Sequence, residues 1–168
     1  MKRLFVVAAS VAMFAGAFAA VAGATGPRQE VVQIDDTFIN EGTCDFPFDE
    51  HAQGSFKVTS YYDSSGNLTK QIFTNIGGRF VITLSANGKS VTGNFGPMMI
   101  TFYFDADGNV IRETENGLAF LFTVPGSGVI EMDVGRVIAE GEEHVFIAGP
   151  HDFISGNTDA LCSYLAGP

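Results

Sequence analysis

The run M-M-I-T-F-Y-F-D-A-D-G-N-V-I-R-E-T-E, from Met98 to Glu115, decides how this chain folds. Ile100, Phe102 and Phe104 recur every second residue, the period of an extended strand whose side chains alternate between two faces. The pattern stops at Asp105. An aspartate there can accept hydrogen bonds from the amides that follow it, Gly108 can take the left-handed conformation, and Val110 resumes the apolar sequence. The unit reads strand, turn, strand. A second copy of the turn, Y-D-S-S-G-N-L, runs from Tyr62 to Leu68. Calcium is the competing reading of such an acidic turn. With Gly108 at the glycine position of a calcium loop, however, the first ligand falls on Tyr103 and the closing acid on Thr114, so the turn is preferred.

The same punctuation continues in both directions. Candidate strands run 53–62, 68–74, 79–85, 90–94, 98–104, 110–115, 118–124, 129–139 and 144–148, each stopped by Gly, Asn, Asp or Pro. Alternation is clear at Phe56 and Val58, at Phe80, Ile82 and Leu84, at Phe120, Phe122 and Val124, and at Ile130, Met132 and Val134. Lys57 and Thr59, Arg79 and Thr83, and Glu131 and Asp133 fall on the opposite parity, which is expected to face solvent. Two strands carry apolar residues on both parities, with Met99 and Tyr103 flanking Thr101 and Ala119 and Leu121 flanking Phe120, and are expected to be covered on both faces. Only Asn157 to Leu165 looks helical, with Asn157 or Thr158 as N-cap and Leu161 and Leu165 on one face. The expected fold is all-β: one antiparallel meander, closed into a small barrel or folded into a sandwich, with one short C-terminal helix.

Residues 1–24 read as a signal peptide. Lys2 and Arg3 precede an uncharged run from Leu4 to Ala22 rich in Ala and Gly, and Ala20-Val21-Ala22 and Ala22-Gly23-Ala24 are small-residue cleavage patterns; a membrane anchor is the competing reading of that run. Residues 25–43 read as an extended lead-in with at most one edge strand, and 44–168 as the domain. The expected location is extracellular, as a secreted protein. The chain has 9 Lys+Arg against 19 Asp+Glu, and loss of Lys2 and Arg3 leaves 7 against 19, a charge of −12. No basic cluster is visible in the sequence, so nucleic acid and anionic membrane surfaces are not expected partners. In an oxidising compartment the 2 cysteines, Cys44 and Cys162, are expected to form a disulfide across nearly the whole domain. A metal pair would call for a C-x-x-C spacing or a histidine cluster beside them.

Chemistry-bearing residues are sparse. His51, His144 and His151 lack ligand spacing and read as exposed loop histidines. Ser127, in P-G-S-G, lacks a nucleophile frame and reads as a turn. Asn67-Leu68-Thr69 is a glycosylation sequon that matters only in a host that reads it. No catalytic residue, metal or cofactor is assigned. The 16 Phe and 5 Met, with no Trp, suit a packed core or an apolar cavity inside a small barrel. The expected function is therefore non-enzymatic binding of a small apolar ligand. The alternative is an isomerase or cyclase of the small-barrel type on an apolar substrate, for which Tyr103 and Glu131 are the candidate polar groups.

The start C-D-F-P-F at Cys44 to Phe48, the paired Y-D-x-x-G-N and F-D-x-D-G-N turns, and the closing G-N-T-D-A-L-C at Gly156 to Cys162 resemble a group of small exported actinobacterial proteins. That resemblance implies export and a terminal disulfide. It implies no activity and no catalytic residue.

Overall fold

A computed structural model describes residues 26–76, 80–141 and 143–167. The expected signal peptide lies outside the described residues. Among them are nine strands: β1 (Arg28–Asn40), β2 (Phe48–Tyr62), β3 (Leu68–Asn75), β4 (Phe80–Ala86), β5 (Lys89–Phe95), β6 (Met98–Phe104), β7 (Val110–Val124), β8 (Gly128–Glu140) and β9 (Glu143–Ala148). Two helices follow, α1 (Asp152–Ser155) and α2 (Asp159–Ala166). All strand pairs are antiparallel.

Two long strands organise the sheet. β2 pairs with β1 along one side; on the other it pairs with β4 through Asp49–Gln53 and with β3 through Phe56–Tyr62. β7 does the same with β8 on one side and with β6 and β5 on the other. The ring β2-β3-β6-β7-β5-β4 therefore closes, with Gly93↔Phe122 and Asn94↔Leu121 as its last pairings. β1 and the β8–β9 pair extend from it as flanks.

The interior is phenylalanine-rich, as the alternation predicts. Phe56, Phe73, Phe80, Phe102 and Phe122 are buried with Ile82, Leu84 and Ile100. Phe73 and Phe102 meet edge to face at 5.5 Å, and Phe56 and Phe80 pack with tilted rings at 4.7 Å. Leu161 and Leu165 of α2, with no exposed surface, close the end of the core formed by β4 and β5.

Both rhyming stretches are hairpin turns. Asp63 Oδ1 accepts from the amides of Ser65 and Asn67 at 2.8 and 2.9 Å, and Asp105 Oδ1 from those of Asp107 and Asn109 at 2.9 and 2.8 Å. The Asn67 and Asn109 side chains bond back to the same carboxylates. These contacts, led by the asparagine side chains, hold both aspartates below the usual carboxylate range.

The lead-in forms β1, which pairs with β2 over 13 residues. Three local features differ from expectation. Residues 110–124 form one strand, where two were expected with a break near Gly117. The sheet bends there instead of stopping: Gly117 faces Gly135 of β8, both at positive φ, 115° and 135°. A helical turn at Asp152–Ser155 precedes the expected helix. On β6, Met99 and Tyr103 are nearly two-fifths exposed, so the outer side is only partly covered.

The glycine bend is a point of high sensitivity. A Cβ at Gly117 would sit 2.0 Å from the Pro97 carbonyl oxygen, and one at Gly135 2.0 Å from that of Ala148. Neither backbone oxygen can swing aside. Gly117→Ala is expected to cost about 2 kcal/mol, read as a lowered urea midpoint at unchanged m-value.

Candidate functional site

Cross-strand partners share a face, so the register locates each acid on β7 and β8. Phe102 faces Glu113, Ile100 faces Glu115, and Phe122 faces Glu131. All three glutamates therefore stand on the core side of the sheet. Asp133 joins them, opposite Phe120. Glu131 has no exposed surface and Asp133 only 4%, while Glu113 and Glu115 are half-buried.

Glu131 and Asp133 thus reverse the expected facing. Ile130, at 7% exposed, is buried as well, so this part of β8 is covered on both sides and alternation could not distinguish them. The bulge on β7 between Leu118 and Phe120, beside the glycine bend, puts Phe120 and Phe122 on the same face as Glu113 and Glu115.

His151 departs from the exposed-loop expectation too. It is 6% exposed, and its Nδ1 is paired with Asp133 Oδ1 while Nε2 lies 3.2 Å from the Ala148 carbonyl. Asp152 begins α1, and its Oδ2 accepts from the Met132 amide at 2.8 Å. His51 lies on β2 and is half-exposed, with Nε2 2.7 Å from Asp35 Oδ1. His144 lies on β9 and is exposed. The three histidines do not come together, and no three His, Cys, Asp or Glu among the described residues form a metal-holding group.

The acids form a string inside the fold. Glu113 neighbours Glu115, Glu115 feels the charges of Asp133 and His151, and Glu131 feels those of Asp152 and Asp133. Burial, reinforced by these like charges, pushes Glu113 and Glu131 each up to about 8. Glu115 and Asp133 are also raised, chiefly by burial, with the His151 contact opposing the rise at Asp133. Both carboxyl oxygens of Glu131, and Oδ2 of Asp133, have no hydrogen-bond partner among the described residues. A further acid, Glu50 on β2, stands opposite Leu84 in the core and is pushed by burial up to about 7. Burial thus favours the protonated form of these carboxyls in the folded chain.

Of the two polar candidates named from sequence, Glu131 belongs to this string and Tyr103 does not. Tyr103 points outward, with the Arg112 guanidinium 6.0 Å from its ring centroid. Sequence reasoning missed Glu113, Glu115 and Asp133. The signal was in the hairpin at Asp105: with the register of that turn known, Phe102 pairs with Glu113, and an inward Phe implies an inward Glu.

Cys44 and Cys162 are joined, with Cα atoms 5.5 Å apart and a sequence separation of 118. Comparison with family models, curated proteins and solved structures finds no match.

Proposed function

We propose that this is an exported, non-enzymatic β domain that binds a small, largely apolar ligand, and that the ligand carries an amine. The observation that supports the amine is the position of Glu113 and Glu115. They are half-buried on the core face, in the same cross-strand rows as the buried Phe102 and Ile100, so an ammonium group reaching that edge of the apolar core would meet two carboxyl groups. Export rests on the leader read in residues 1–24, on the Cys44–Cys162 bridge and on the resemblance to small exported actinobacterial proteins.

An ammonium group favours ionised carboxylates, so binding should expel protons from the pair. Affinity should then rise with pH from 6 to 8. The experiment is native mass spectrometry on protein purified from its host, followed by titration with dodecylamine, dodecanol and dodecanoate. The expected result is a retained small-molecule mass and a preference for the amine, lost in the Glu113→Gln/Glu115→Gln double variant. No retained mass together with equal response to all three probes would overturn the reading.

The buried His151–Asp133 pair beside Glu115 favours a second reading, the isomerase or cyclase, because it could move a proton at an enclosed substrate. Conversion of the retained molecule on incubation, abolished in His151→Gln, would decide for it.

A further inference from the structure

Six of the nine lysines and arginines lie among the described residues, and the fold gathers four of them on one surface. Lys57, Thr74, Met99, Asn116 and Arg136 form one cross-strand row on the outer side of β2, β3, β6, β7 and β8. Tyr61, Lys70, Tyr103 and Arg112 form a second row. These rows are on the opposite face from Glu113, Glu115 and the phenylalanine core. The chain as a whole carries −10, yet within the two rows there is no acid; Glu140, 3.9 Å from Arg112, and its cross-strand partner Glu143 lie beside them on that face.

The rows have a definite shape. At the usual strand spacing, Lys57 and Arg136 are about 19 Å apart and Lys70 and Arg112 about 10 Å, with about 13 Å between the rows along the strands. The floor between them, Thr59, Thr101, Thr114 and Ile138, is buried. Lys70 Nζ lies 4.1 Å from the Tyr61 ring centroid, and Arg136 is 5.9 Å from that of Phe146, so the cations are held at the surface by neighbouring rings. Tyr103, Met99 and Phe146 stay 38–47% exposed and offer apolar patches between the charges.

We propose that this outer face binds a linear, carboxylate-bearing polysaccharide lying across the strands. The cations supply the attraction to carboxylates, and the exposed ring and thioether surfaces meet the C–H faces of the sugars. The acids at the border select the kind of polyanion. Asp63, Asp105 and Asp107 occupy the two hairpin ends just beyond the Tyr61–Arg112 row. A bilayer or a nucleic acid of dense charge would bring its own phosphates against them, whereas a single extended chain of sparse charge can follow the rows and avoid them.

The test uses the full exported chain and polygalacturonate oligomers, with neutral dextran, phosphatidylglycerol vesicles and single-stranded DNA as parallel probes. Affinity for polygalacturonate should weaken as salt rises. It should fall about tenfold in the Lys70→Gln/Arg112→Gln variant and similarly in Lys57→Gln/Arg136→Gln, with melting temperatures unchanged, while Lys89→Gln on β5 has no effect. Failure to bind polygalacturonate, equal binding to dextran, stronger binding to vesicles or DNA, or an equal loss in Lys89→Gln would each overturn the proposal.

Discussion

Replacing either Cys44 or Cys162 by alanine should lower stability by about 4 kcal/mol at most, with a melting temperature roughly 10 °C lower. The size follows from topology. The bridge spans 118 residues and so removes much of the freedom of the unfolded chain. It also ties α2 to the loop after β1, the two parts least tied into the ring. α2 would keep other anchors: Leu161 and Leu165 in the core, Tyr164 Oη donating to the Ser90 carbonyl at 2.9 Å, and the Asn87 amide donating to that of Leu165 at 3.1 Å. The variants should therefore still fold, with the helix exchanging amide hydrogens faster than β2 and β7. The two single substitutions should cost the same, since each removes one constraint. Non-reducing peptide mapping should recover a single linked pair of fragments containing both cysteines. Two free thiols in the protein isolated without reductant, or a large difference between the two variants, would refute this account.

Strand content was legible because its signals are local. The two-residue period of Ile100, Phe102 and Phe104, and the Asp-x-x-Gly-Asn turns, involve neighbouring residues alone, and the structure has both features. The C-terminal helix likewise had its Leu161–Leu165 pair within about one turn, while Thr158 at its N-cap position makes no side-chain capping bond and donates to the Thr43 carbonyl instead. What was not legible depends on partners distant in the chain. Residues 110–124 bend at Gly117 only because Gly135 bends opposite it, and a lone glycine in sequence reads as an end. The closure of β5 on β7 rests on two residue pairs that no local pattern encodes. Glu131 and Asp133 alternate correctly with Ile130 and Met132, but alternation states that two faces exist, not which is inside. The basic face was hidden for the same reason: Lys57, Lys70, Arg112 and Arg136 are scattered in sequence and become neighbours only through the β2-β3-β6-β7-β8 order.

Stability should fall steadily as pH rises from about 4.5 to about 8, opposite to the behaviour of a domain held by ionised surface carboxylates. Unfolded glutamates release their protons near pH 4.5. In the folded chain Glu50 holds its proton to about 7, and Glu113 and Glu131 to about 8, because burial disfavours their charge. Between those limits the native state binds more protons than the unfolded state, so each step up in pH favours unfolding. The stabilising contribution is complete below 4.5 and gone above 8. After discounting for solvent screening, the three groups together are worth on the order of 5 kcal/mol over that range. Below about 3.8 the trend should reverse, since Asp63 and Asp105 are held under their ordinary range by their turns and lose those contacts on protonation. Glu131→Gln isolates one member. It keeps the shape of an enclosed, unpartnered side chain but cannot ionise, so at pH 8 it should be about 2 kcal/mol more stable than the parent and at pH 4.5 no more stable. Urea unfolding at half-unit pH steps would measure both slopes. A parent curve that is flat from 5 to 8, or a Glu131→Gln effect independent of pH, would show that these carboxyls ionise freely in the folded chain and would remove the proton-holding interior.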